Sequence, residues 1–259
     1  MIVTLSILAG ASAVGYSGYS LGKHQQRNLK VGCASATQEM MQHESWEAVV
    51  DNYVYIHNAF RNDLQRMITA LENNNFSIAE LERWDEIFEL HSRTEDEIYV
   101  VALQARLKRD KSNDKIPNTL LSGNDHTRVK KLVQASLECN DNVERLNLLK
   151  QLAIELESHL QRKEECIPQL LLKHFSKREL WALYSFMFNP KLNYIDNKKT
   201  LMKVTKWWFA NISVAEGSRL AVHFVKCNKQ PHMTHENWRR IQADIPALQT
   251  YNVQDIIMT

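Results

Sequence analysis

An all-α protein is what this sequence predicts, and three observations carry the expectation. Of the seven glycines, Gly10, Gly15, Gly18, Gly22 and Gly32 all lie before residue 33, so only Gly123 and Gly217 remain to interrupt the rest. The remainder is rich in Leu, Glu, Lys, Gln and Ala, residues that lose little freedom in a helix. No run of alternating apolar and polar residues is bounded by turn signals, as a strand would be. At 259 residues and 44% hydrophobic content the chain can bury a full core. Its formal net charge of +2 makes no demand for nucleic acid. The basic residues between Arg106 and Lys131 read as a solvated helix end and loop.

Residues 1–22 stand apart. They are apolar or small and uncharged, with Lys23, Arg27 and Lys30 following. The stretch is just long enough to cross a bilayer as a helix, and the basic residues behind it would leave the bulk of the chain in the cytosol. A single membrane anchor is therefore expected here. A cleaved targeting peptide ending near Ala11-Ser-Ala13, or a cytoplasmic protein with neither, stays open as the alternative. Residues 23–45 read as a polar linker running into a helix.

The first strong helix is expected over about 46–73, with Trp46, Val49, Tyr53, Phe60, Leu64, Met67, Ile68 and Leu71 on one face and His57 in register between Tyr53 and Phe60. Asn73-Asn-Asn75 breaks it. Ser77 and Glu80 form a capping box for a second helix running to about 109, whose stripe holds Leu81, Trp84, Phe88, His91, Glu95, Ile98 and Tyr99. After a loop with Pro117 and Gly123, Asn124 or Asp125 can cap a third helix carrying His126, Val129 and Val133 in line. The fourth spans about 143–173, with Leu149, Leu152, Leu156, His159 and Ile167 on one face. Pro168 is expected to kink it or weaken its last turns. Ser176 and Glu179 open a further helix that ends at Asn189-Pro190. Leu201–Ala210 and Val214–Val225 follow as a C-terminal helical extension over 189–259.

Two segments carry chemistry: His91-Ser-Arg-Thr-Glu95 and His159-Leu-Gln-Arg-Lys-Glu-Glu165. Each sets a histidine and a carboxylate about one helical turn apart. Burying Glu95 unpaired on its apolar stripe would be costly, and a metal ion would remove that cost. Histidines and carboxylates converging from facing helices of a four-helix bundle are a standard way to hold two iron or manganese ions. Cys33, Cys139, Cys166 and Cys227 show no CxxC spacing, so a zinc ribbon is not expected. His232 and His235 have ligand-like spacing but lie in a polar stretch without a carboxylate partner; with His174 and His223 they are read as packing or surface residues. Trp207-Trp-Phe209 is assigned to a core. Asn75-Phe-Ser77 and Asn211-Ile-Ser213 match the N-glycosylation pattern at near-chance frequency.

The order His57, His91-x3-Glu95, His126, His159-x4-Glu164 resembles the hemerythrin-like (HHE cation-binding) family over roughly residues 46–188. The stretch from His159 through Pro168, with Leu170-Leu-Leu-Lys-His-Phe-Ser176 behind it, looks most like the hemerythrin domains of plant iron-regulatory ubiquitin ligases, although the RING and zinc motifs of those ligases are missing from this chain. The resemblance implies an up-down four-helix bundle holding two irons. Glu95 and Glu164 would bridge them, and His57, His91, His126 and His159 would complete the ligand set. Many members carry glutamate four residues after the last histidine, where this chain has Lys163; the ligand role therefore moves to Glu164, with Glu165 as the fallback. Oxygen carriers have a second histidine on the third helix, where this chain has Lys130.

The leading expectation is an iron-binding regulatory or sensor module whose ligands are iron and dioxygen. A di-iron enzyme acting on oxygen, peroxide or nitric oxide is the second reading, motivated by Lys130. A metal-free helical interaction module tethered to a membrane is the third, motivated by Lys163.

Overall fold

The protein is described by a computed structural model covering residues 38–49, 53–121, 124–187, 198–213 and 216–217. Among these residues all regular structure is helical. Two short turns, Gln38–Gln42 and Trp46–Val49, lead into α1 (Tyr55–Glu72). Then come α2 (Ile78–Thr94), a π-helical turn (Glu95–Tyr99), and α3 (Val100–Arg109). The short turn Asn118–Leu121 precedes α4 (Asn124–Glu138), α5 (Asn142–His174), α6 (Lys177–Met187) and α7 (Lys198–Ala210). The expected apolar helix of residues 1–22, most of the 23–45 linker, His223, His232 and His235 lie outside the described residues. No helix among those described is long and apolar enough to cross a membrane.

Local chemistry sets the ends. α1 stops at Asn74, which adopts φ 55° while the Asn75 N–H reaches back to the Ala70 carbonyl at 2.8 Å. Asparagine tolerates this left-handed conformation better than most residues. α5 starts where the Asp141 carboxylate accepts the Glu144 N–H at 2.8 Å. It runs 33 residues, about 50 Å at the α-helical rise. The helix passes through Pro168 and continues to His174, so the missing proline N–H does not end it.

The two expected capping boxes differ. Ser176 and Glu179 close theirs: the Glu179 carboxylate accepts from the Ser176 N–H at 2.8 Å and hydroxyl at 2.9 Å. Ser77 makes no side-chain cap bond: the Glu80 N–H goes to the Ser77 carbonyl at 3.0 Å, and Arg66 on α1 holds the Glu80 carboxylate at 3.0 and 3.1 Å.

α1 packs on α2, α5 and α7; α4 packs on α2 and α5; α3 also lies against α5. The core between them contains Phe60, Leu64, Met67, Leu81, Trp84, Phe88 and Ile98, all under 2% exposed. Trp84 and Phe88 stack at 5.0 Å, and Phe60 meets both edge-on. Trp207 joins this core from α7, 4.8 Å from Phe60, as the sequence pattern anticipates.

Candidate metal centre

Helices α1, α2, α4 and α5 and the π turn each contribute to one buried cluster. α1 supplies His57 and the last turn of α2 supplies His91. The π turn supplies Glu95, the first turn of α4 supplies His126, and the middle of α5 supplies His159, Lys163 and Glu164. All seven are buried; His91, at 7%, is the most exposed. The six residues singled out in the sequence are thus brought together.

The π turn matters to this convergence. The Val100 N–H bonds to the Glu95 carbonyl, five residues back instead of four. Helix periodicity shifts there, and both Glu95 and Asp96 face His126: Glu95 Oε2 lies 3.2 Å from Nε2 and Asp96 Oδ2 lies 3.1 Å from Nδ1.

Glu95 is shared by two groups of potential ligand atoms. With His57 and His91 it forms one set whose atoms lie within 4.8 Å of one another, and with His126 and His159 it forms another. The first set is open. His57 Nε2, His91 Nε2 and Glu95 Oε1 are buried and make no hydrogen bond among the described residues. His57 Nε2 lies 3.5 Å from Glu95 Oε1 and His91 Nε2 lies 3.4 Å from Glu95 Oε2, close but not bonded. Buried polar atoms are normally satisfied, so three orphans facing each other suit a cation. Two imidazoles and one carboxylate are also a donor set that first-row transition metals accept.

Two ligand atoms of the second set, on Glu95 and His126, are engaged. Lys163 Nζ donates to Glu95 Oε2 and sits 2.8 Å from His126 Nε2. One ammonium therefore occupies both the second Glu95 oxygen and the inner nitrogen of His126. The His159 ring lies against His126, centroids 4.7 Å apart.

Glu164 touches the open set from behind. Its Oε1 lies 3.0 Å from His57 Nδ1 and 2.6 Å from Arg61 Nη1, and Arg61 Nε reaches Glu157 at 2.7 Å. With Glu164 ionised, His57 Nδ1–H must donate to it, which turns the Nε2 lone pair inward. A carboxylate behind a histidine is how metal-binding imidazoles are commonly oriented. Glu164 is not part of either converging group. Glu165, the fallback, is exposed and pairs with Gln161 at 2.8 Å. Lys130 turns outward to Glu89 at 2.5 Å.

Electrostatics favour ligand-ready protonation states at Glu95 and His91 and oppose one at His126. Burial would push the Glu95 carboxyl up, but Lys163, His91, His126 and His57 outweigh it and hold the group well below the ordinary carboxylate range. Burial, assisted by His57, Lys163 and His126, holds His91 well below its usual value despite Glu95, so its imidazole is neutral. Burial also opposes ionisation of Glu164, and His57 and Arg61 overcome it. Burial lowers His126, but its bonds to Asp96 and Glu95 raise it overall. Burial and Glu95 together keep the Tyr53 hydroxyl protonated beside His57, ring centroids 4.8 Å apart.

An aromatic floor seals one side. Phe60 lies 5.2 Å from His91, and Phe88 packs near His91, His126 and His159. Asp96, Arg61 and Tyr53 were not singled out as site residues from sequence. Asp96 adjoins a ligand residue and acquires its role only through the π turn. Lys163 does carry a signal: it falls four residues after His159 on the apolar face of α5.

His174 is nearly buried and pairs with Asp114 at 2.7 Å, away from this cluster. Asn211 is buried and bonds to the Trp207 carbonyl at 2.8 Å, so its glycosylation motif is inaccessible in the fold, while Asn75 is exposed. Comparison with protein-family models, curated proteins and solved structures finds no match for this chain.

Proposed function

We propose that the protein is an iron-binding regulatory or sensor module built on a hemerythrin-like four-helix bundle. The observation that carries this reading is the open set: three buried, mutually facing donor atoms on His57, His91 and Glu95 that have no hydrogen-bond partner among the described residues. The closed circuit of contacts from α1 to α2, α4, α5 and back to α1 supports the bundle. The family-like order of the histidines along those helices supports the hemerythrin assignment.

In this reading His57, His91 and Glu95 hold iron, with His126 and His159 beside them. Iron bound there would supply reversible redox chemistry and affinity for small ligands such as dioxygen. The chain's own residues prepare the place. Glu164 fixes the His57 tautomer, burial keeps His91 neutral, and Phe60 and Phe88 exclude water. Iron ties helices α1 and α2 together through these ligands, so binding stabilises the fold. Iron supply is thereby converted into a change in stability that a partner or protease can read.

Anaerobic loading of the purified chain with ferrous iron tests the proposal. Bound iron that survives desalting and a raised melting temperature are expected. At free iron about 100-fold above Kd the stabilisation is about 2.7 kcal/mol. No retained iron and an unchanged melting curve would end this reading.

Lys163 favours a second reading, a metal-free helical interaction module. Its ammonium already neutralises Glu95, which removes part of the need for a metal. Manganese and zinc loading alongside iron separates that case from selectivity for another ion.

A further inference from the structure

We propose that the centre holds one metal ion, bound by His57, His91 and Glu95, and that the Lys163 ammonium permanently fills the place of a second cation. This rests on the metal-binding reading above and sharpens it: the expectation of two ions gives way to one.

At Glu95 the atoms of His57 and His91 part from that of His126. On one side, His57 Nε2, His91 Nε2 and Glu95 Oε1 have no hydrogen-bond partner among the described residues. On the other, Glu95 Oε2 and His126 Nε2 both face Lys163 Nζ. A second ion held by His126 and bridged through Glu95 would have to displace that ammonium from both atoms at once. Lys163 is 3% exposed, and its α5 neighbours Leu160, Glu164 and Ile167 are buried as well, so the displaced charge would have no water to enter.

Charge points the same way. The carboxylates near the open set are Glu95 and Glu164, and Arg61 already matches Glu164 at 2.6 Å. Asp96 is occupied with His126. A second divalent ion would add two charges beside an ammonium, and among the described residues the other buried carboxylates, Asp63, Glu179 and Glu216, are bonded to partners outside the cluster. Two histidines and one carboxylate, with coordination positions left over, are the donor set of single non-heme ferrous sites. The role of the lysine is electrostatic: it balances Glu95 and closes the adjoining site.

Metal stoichiometry of the full chain, loaded anaerobically with ferrous iron and desalted, decides the matter. One iron per chain is expected in the wild type. After air oxidation it should give the paramagnetic resonance signal of an isolated ferric ion, whereas an oxo-bridged ferric pair is silent. His57→Ala and His91→Ala should lose that iron; His126→Ala should keep it. Lys163→Glu replaces the ammonium by a carboxylate and should take up two irons, with loss of the isolated-ion signal through coupling. Two irons in the wild type would overturn the role given to Lys163 while leaving the iron reading intact. No iron in the wild type would overturn both. If Lys163→Glu does not fold, the wild-type stoichiometry and the contrast between His91→Ala and His126→Ala still decide.

Discussion

Two buried carboxylates, Glu95 and Glu179, show what separates a structural network from a candidate site. Glu179 is 4% exposed and fully answered: Arg106 reaches one oxygen at 2.7 Å, and Ser176 supplies an N–H and a hydroxyl to the other. Arg106 also donates to the His174 carbonyl at 2.6 Å and lies over the Phe175 ring. This network ties α3 to the start of α6 and closes on itself. Glu95 is 2% exposed, yet one of its oxygens and the inner nitrogens of two neighbouring histidines remain unbonded. Folding alone has a reason to keep the first arrangement. It has none to keep the second, which costs stability unless something outside the chain binds there.

Removing Glu95 is the sharpest way to break this contrast. In the metal-free protein, Glu95→Ala strands the Lys163 ammonium in the interior, and the expected loss is about 3–5 kcal/mol by denaturant unfolding. The same variant should retain no iron. Pairing Glu95→Leu with Lys163→Met removes both charges together and should recover most of the stability but none of the iron binding. If Glu95→Ala alone unfolds no more easily than the wild type, the two side chains are not the buried pair that the geometry describes.

Glu179→Ala is the control from the closed network. It leaves Arg106 buried without its carboxylate and removes the carboxylate half of the α6 capping box, and the expected cost is about 3 kcal/mol. The rise in melting temperature on iron loading should be the same as in the wild type. A reduced response would mean that the two regions are energetically coupled.

The sequence made much of this arrangement legible, and the reasons differ from residue to residue. His57, His91, His126 and His159 declare themselves because each sits at helical spacing within an apolar stripe, where a polar side chain must find a partner. Lys163 stands on the same face as His159, four residues on, but nothing in the spacing tells whether a long side chain there turns inward or reaches out along the surface. Asp96 could not be read, since a regular helix would carry it away from its neighbour Glu95 and only the π turn points both at His126. The identical Ser-x-x-Glu motifs make the same point. Ser176 and Glu179 pair locally, while Glu80 is drawn off by Arg66, a residue brought close by packing and not by spacing.

His91→Ala sharpens the comparison from the open side. The imidazole nitrogen Nε2 has no hydrogen-bond partner among the described residues, so the metal-free protein should lose chiefly packing, about 2 kcal/mol. The iron-dependent rise in melting temperature should nevertheless vanish. A small structural cost joined to a complete loss of response is the signature of a ligand, and the reverse of what Glu179→Ala should show.

The smallest effect is a pH dependence confined to the closed network. Burial opposes ionisation of Glu179, but Arg106 and Ser176 hold its carboxyl below the ordinary range in the folded state. A group whose folded value is depressed contributes its stability fully above its unfolded value, about 4.3, and loses it as pH falls through the folded one. Glu179→Gln removes that ionisation. At neutral pH the variant should be less stable by about 1 kcal/mol, and the gap should hold until pH falls to about 4.3 and then close. Denaturant midpoints of the two metal-free proteins, measured in parallel from neutral to acidic pH, test this without any iron present. A gap that stays constant into strong acid would mean that the Arg106 pairing adds nothing beyond a neutral hydrogen bond. The closed network would then owe its stability to the cap and to the packing of Arg106 on Phe175.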